Sequence, residues 1–168
     1  VVTPDLGGVA ATPVERDRLM QEIGRRIGTL PEVASLAGAD RAPFLGHSMR
    51  SYETDDGRWH QGCGTLQVDA DYFATLGLRF VAGRAFTAEE VKSAARVLVI
   101  SESAAGHLWP GKDPLGRALR LPPKQRNGPP GPEFTVIGVV KDARLTLLSK
   151  VDEADLFFAK SAANLWLV

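Results

Sequence analysis

His60 and Cys63 stand in an H-x-x-C spacing, with His47 upstream on the same irregular stretch. Imidazole and thiolate bind zinc, and a Cys-His pair can also make a nucleophile. Structural zinc normally takes four such ligands. The chain has one cysteine, and its remaining histidine, His107, lies well downstream. A nucleophilic pair also needs an orienting third group and an oxyanion hole, and no motif marks either. The expectation is a polar loop, with no metal ligand and no catalytic residue. A hydrolase using His60 and Cys63 is kept as a rival.

Gly111-Lys112, inside "HLWPGKDPLGRALRL", hints at phosphate binding. The P-loop frame G-x-x-x-x-G-K-[ST] is absent, because Pro precedes the Gly and Asp follows the Lys. A structural corner is the better reading. Pro110 stops a helix, Gly111 permits unusual backbone angles, and Asp113-Pro114-Leu115-Gly116 can form a tight turn. Trp109 is then an apolar plug over a core. Adjacent carboxylates, Asp55 with Asp56 and Glu89 with Glu90, point apart on a helix or strand and make poor acid/base pairs. They are expected on a solvated face. Arg84, between Gly83 and Phe86, is expected in a buried or half-buried structural salt bridge.

These residues need elements to hold them. "TPVERDRLMQEIGRRIGTLP" predicts a helix over 13–30, with Thr12 and Glu15 as a capping box, Leu19, Ile23, Ile27 and Leu30 on one face, and Pro31 as the stop. Such a one-sided helix needs a sheet to cover. A small strand follows in "VASLAGA". Residues 40–63 have weak periodicity and read as a long connection with one edge strand at most. "TLQV" is a strand. "DADYFATLG" is a short helix with an Asp cap, closed by Gly77. "LRFVAG" is a strand, and Thr87 with Glu90 repeats the capping-box pattern. "RVLVIS", "RALRL" and "FTVIGVV" are strands, and "ESAAGHLW" is a helix. Residues 122–132 form a mobile Pro/Gly-rich loop. "DLFFAK" and "NLWLV" are two final strands joined by a turn. Intermixed strands and short helices make the class α+β.

The 168 residues suit one domain or two small lobes. Twenty basic side chains balance twenty acidic ones, so no global field attracts nucleic acid. One cysteine excludes an internal disulfide. No apolar run approaches the ~18 residues that span a bilayer. The first residue is Val1 and the last five are the apolar "NLWLV". The expectation is a soluble piece of a longer protein.

Three segments in order carry a resemblance. "VDADYFATLGLRFVAGRAFT" contains Tyr72, Phe73, Gly77, Gly83, Arg84 and Phe86. "ARVLVISESAAGHLWPGKDPLGRALRL" contains Trp109, Pro110, Gly111, Asp113, Pro114 and Gly116. "FTVIGVVKDAR" contains Gly138 and Asp142. Together they resemble the extracytoplasmic core domain of MacB/FtsX-type ABC transporter permeases. Ser101-Glu102-Ser103 departs from that pattern, where Asn-Glu is usual, and the C-terminal end lacks an expected helix and strand.

The resemblance implies a two-lobe domain. Residues 1–45 and 150–168 would form a porter-like α/β lobe, 60–147 a mixed α/β lobe inserted into it, and 46–59 a connection. It implies a structural role for the fourteen motif residues, no cofactor, and a place on the periplasmic face of the inner membrane between transmembrane helices. It also implies a cytoplasmic ABC ATPase as partner, other envelope proteins as possible contacts, and a dimer in the full transporter. The function implied is non-enzymatic: coupling ATP hydrolysis to export or to partner regulation. The rival is a stand-alone small-molecule or glycan-binding module, with a pocket lined by aromatics such as Trp59 and Tyr52.

Overall fold

The computed structural model describes residues 12–41, 48–123, 128–145, 154–160 and 165–167. Helix α1 spans Pro13–Ile27. Thr12 and Glu15 close the expected capping box, and Glu22 holds both Arg25 and Arg26, three and four residues on, across about one turn. The helix ends at a Gly28 cap, before Pro31. Met20 is buried and Leu19, Ile23 and Ile27 are half-buried, whereas Leu30, past the end, is half exposed.

The strands are β1 (Ala37–Ala39), β2 (Ser48–Thr54), β3 (Trp59–Val68), β4 (Phe80–Gly83), β5 (Val97–Ser101), β6 (Ala118–Arg120), β7 (Glu133–Val140), β8 (Asp155–Ala159) and β9 (Leu165–Leu167). The short helices are α2 (Tyr72–Thr75), α3 (Ala88–Lys92) and α4 (Glu102–Leu108). The fold is mixed α and β, as the intermixed sequence pattern implies.

The stretch 46–59, expected as a connection, carries β2 and the start of β3. These strands pair antiparallel from Ser48↔Thr65 to Glu53↔Trp59, with a bulge between Arg50 and Tyr52. The polar residues that hid the strand are its solvent-facing positions and the Asp55–Arg58 turn. Thr54 closes that turn through its amide to Arg58 and by accepting from Gly57.

Pairing continues β2–β6–β7–β5–β8–β3, and β3 returns to β2, so six strands form a closed ring. Alternation then sends side chains inward and outward. Tyr52, Cys63, Leu98, Ile100, Leu119, Val136, Leu156 and Phe158 fill the inside. Leu66, Val68, Val99, Val140 and Phe157 face outward into a second core, covered by α2 and α3. β4 attaches to the far half of β7, and β1 to the far end of β3. β9 pairs with β1, so the two final strands are not neighbours. The ring also crosses the lobe boundary expected at residue 150, because β8 lies between β3 and β5. Segments 1–11 and 161–164 lie outside the described residues.

Candidate functional site

The barrel has two ends with different chemistry. At one end α4 leaves β5, and its Ala104, Leu108 and the following Trp109 pack into the inner core. Ser101 starts this helix by accepting from the Ala104 amide, and Asp142 accepts from the amide and hydroxyl of Ser103. Two oxygens therefore serve amides of the helix start that lack helical partners. Trp109 is 1% exposed, and its Nε1 donates to Asp55 Oδ1 at 2.8 Å. Arg117 pairs with the other Asp55 oxygen at 3.0 Å. Asp55 is thus no idle surface carboxylate: it ties the plug to the β2–β3 turn. Its neighbour Asp56 points away, to Arg58 at 2.6 Å and Thr54 at 2.7 Å, and these bonds hold its carboxyl well below the usual range.

The Trp-Pro-Gly corner is a scaffold joint. Gly111 has φ +70°. Asp113 accepts from the Leu115 amide, Pro114 accepts from the Arg117 amide, and the Gly116 amide donates to Val136 of β7. Among the described residues, the Lys112 ammonium pairs with Asp56, at 3.8 Å. The corner clamps α4 to β6 and β7.

The remaining motif residues lie on the outer core. Phe73 packs edge-on or tilted against Phe80, Phe86 and Phe157, with centroids 5.2–5.6 Å apart. Tyr72 lies beside them. Past α2, the Gly77 amide donates to Ala74 and the Leu78 amide to Phe73, a Schellman stop. Of the two aspartates before the helix, Asp71 makes no side-chain cap bond. Asp69 does that work instead, accepting from Asp71 and from Gly38 of β1. Burial pushes its carboxyl up to about 6. Gly83 pairs with Gly138, and a Cβ on either would strike backbone of the other strand segment. Arg84 forms a two-pronged pair with Glu90 at 2.7 and 2.8 Å. Its own side chain is 53% exposed and that of Glu90 19%, so the pair is half-buried rather than buried. Arg84 lowers Glu90 to about 2, and Glu90 also closes the capping box of α3.

His60 and Cys63 are not brought together as a catalytic pair. Cys63 is fully buried in the barrel, and burial, then the Asp155 charge, pushes its thiol up to about 11. A thiol held protonated is a poor nucleophile or ligand. His60 instead meets His107 of α4 edge-on, with centroids 5.3 Å apart. Burial first, then the charge of His107, lowers its affinity for a proton. His47 lies outside the described residues.

At the opposite end the barrel is open among the described residues. β2 and β6 pair only at Glu53↔Arg120 and Thr54↔Leu119. Beyond them lies a cavity of about 230 Å³. Tyr52, Leu121, Phe134 and Phe158 give it apolar walls, and Arg50 and Lys160 are at its rim. Phe134 stands edge-on to Phe158 at 4.8 Å, and Tyr52 stacks on Phe158 at 6.3 Å. The Tyr52 hydroxyl shares a 2.6 Å hydrogen bond with Thr65. Burial pushes Tyr52 up to about 12, so it stays a neutral phenol. Trp59, expected beside Tyr52, is 52% exposed on the β2–β3 hairpin and does not line the cavity.

Comparison with known proteins adds the family. The MacB-like periplasmic core domain matches residues 1–163. The chain belongs to this family. A stretch of 74 residues, 44% of this MacB-like chain, is 36% identical to the "Macrolide export ATP-binding/permease protein MacB" of Neisseria gonorrhoeae. The same holds for the protein of that description from Neisseria meningitidis. The match covers only 10% of those relatives. Among solved structures, the periplasmic region of MacB from Actinobacillus actinomycetemcomitans has a TM-score of 0.61 at 20% identity, over 84% of this chain and 55% of that one. The extracellular domain of the noncanonic ABC-type transporter YknZ from Gram-positive bacteria has a TM-score of 0.55 at 17% identity, over 93% and 68%. These likenesses show the fold. By the family match the chain is a MacB-like periplasmic core domain, which places it on the extracytoplasmic side of the membrane.

Within this MacB-like core domain, the cavity residues Arg50, Gln67, Phe134, Phe158 and Lys160 were absent from the sequence-based site. Alternation places Arg50 and Tyr52 on one face, but ring closure alone brings them to β7 and β8.

Proposed function

We propose that the domain is a force-carrying body, coupling ATP hydrolysis on the other side of the membrane to export or to the regulation of a partner. The observation that carries this reading is the joining of β1 and β9 to each other and to the barrel. β1, near the start, pairs with β9, near the end, and with β3 of the ring. Movement of flanking segments would pass through this ladder to a rigid closed sheet. Packed bodies of that kind convert small shifts into rigid-body rotation. The partner would be a cytoplasmic ABC ATPase, with a dimeric transporter and other envelope proteins as contacts.

The test is made in the parent permease. Residues 48–160 are replaced by a short Gly-Ser linker, which leaves β1 and β9 and removes the barrel. With membrane insertion confirmed, ATP hydrolysis should persist and the export or partner-activation phenotype should vanish. A retained phenotype would refute the coupling role. A second reading, a small-molecule binding module, is favoured by one observation, the open cavity with Tyr52 in its wall.

A further inference from the structure

We propose that the open mouth of the barrel binds a small amphipathic carboxylate, its apolar body against Leu121, Phe134 and Phe158, with Tyr52 behind them, and its charge facing Arg50 and Lys160. Three features argue for this ligand. First, the site is one end of a closed barrel whose other end is filled by Trp109, so it is a walled depression and not a flat patch. Barrel mouths are common ligand sites. At about 230 Å³ it is smaller than the ~300–1,000 Å³ typical of drug-sized ligands, which selects a single ring or a short chain.

Second, the charge is one-sided. Two cations line the cavity, and no Asp or Glu does among the described residues. Both side chains are exposed, and none of the ion pairs among the described residues includes either. An anion held there needs little desolvation of the pair and gains charge-assisted hydrogen bonds. Third, Tyr52 and Thr65 share one hydrogen bond. Two hydroxyls carry two protons and that bond uses one. With Tyr52 donating, the second proton is on the Thr65 hydroxyl, has no acceptor recorded among the described residues, and can serve a ligand oxygen. Gln67 adds an amide at the same rim. The aromatic walls recognise an apolar body, and the cations favour the acid over its uncharged analogue.

This inference is independent of the coupling role, since its test uses the 168-residue chain and reads no transport. Octanoate, phenylpropionate and octanol are titrated by calorimetry and by amide shifts in ¹H–¹⁵N spectra. Both acids should bind saturably, with shifts centred on Arg50, Tyr52, Gln67, Phe134 and Phe158. Octanol should bind roughly ten-fold more weakly. Arg50→Gln with Lys160→Gln should weaken octanoate by a similar factor and leave octanol unchanged, and each single change should give part of the loss. Both residues are exposed, so the folded state should survive, which the thermal midpoint checks. Equal binding of octanol and octanoate, an unaltered double variant, no saturable binding, or shifts scattered away from the mouth would each overturn the proposal.

Discussion

At the residue scale, Trp109 and Asp55 show how one side chain fastens two distant parts. The indole fills the barrel end, and its N–H bonds a carboxylate 54 residues away in sequence. Trp109→Ala should cost about 3–5 kcal/mol, through lost apolar contact and a residual cavity. Trp109→Phe keeps most of the body and loses the donor, and should cost less, about 1–3 kcal/mol. Urea denaturation separates the two; an unchanged midpoint for the Ala variant would contradict its role as a plug. Asp69 gives a pH prediction. Its folded value is raised from 3.8 to about 6, first by burial, so the fold favours the protonated form. Its contribution to stability is full below the unfolded value and is lost as pH rises through the folded one. Asp69→Asn should therefore remove a downward slope in stability between those two values. Denaturation midpoints for both chains across that window are the measurement, and parallel curves would count against the assignment.

At the element scale, local signals served well where an element's own residues close it. The capping boxes at Thr12 and Thr87 were readable because cap and partner lie three residues apart. The stop after α2 was readable from Gly77. β2 was not, because its solvent face is polar and its inner residues need partners from β3 and β6 to be recognised. The junction of β4 and β7 depends on two facing glycines. Gly83 has φ +68°, and a Cβ there would strike the Ile137 carbonyl. Gly83→Ala should destabilise the chain by more than about 1–2 kcal/mol. The thermal midpoint should fall, and hydrogen exchange at Phe80 and Ala82 should rise, since β4 detaches first. An Ala variant with unaltered exchange in β4 would show that the strands can part slightly without cost.

At the scale of the whole molecule, the ring makes β8 indispensable. β8 supplies Leu156 and Phe158 to the inside of the barrel and Phe157 to the outer core. A chain ending at residue 150 should lose its cooperative thermal transition and its near-ultraviolet circular dichroism, since both cores open at once. A native-like spectrum would mean that residues 60–147 hold a lobe of their own, as the sequence-based boundary implies. The sequence by itself determined the mixed class, most helices and strands, the stiff corner at Trp109–Gly116 and the resemblance to a permease domain. Those features depend on period, caps, turn residues and local motifs, all set within a few residues. It left open the pairing of β8 between β3 and β5, the closing of β2 onto β6, and therefore the cavity. Strand partners far apart in sequence are chosen by which apolar faces bury together, so only the tertiary structure could place Arg50, Phe134 and Phe158 around one mouth.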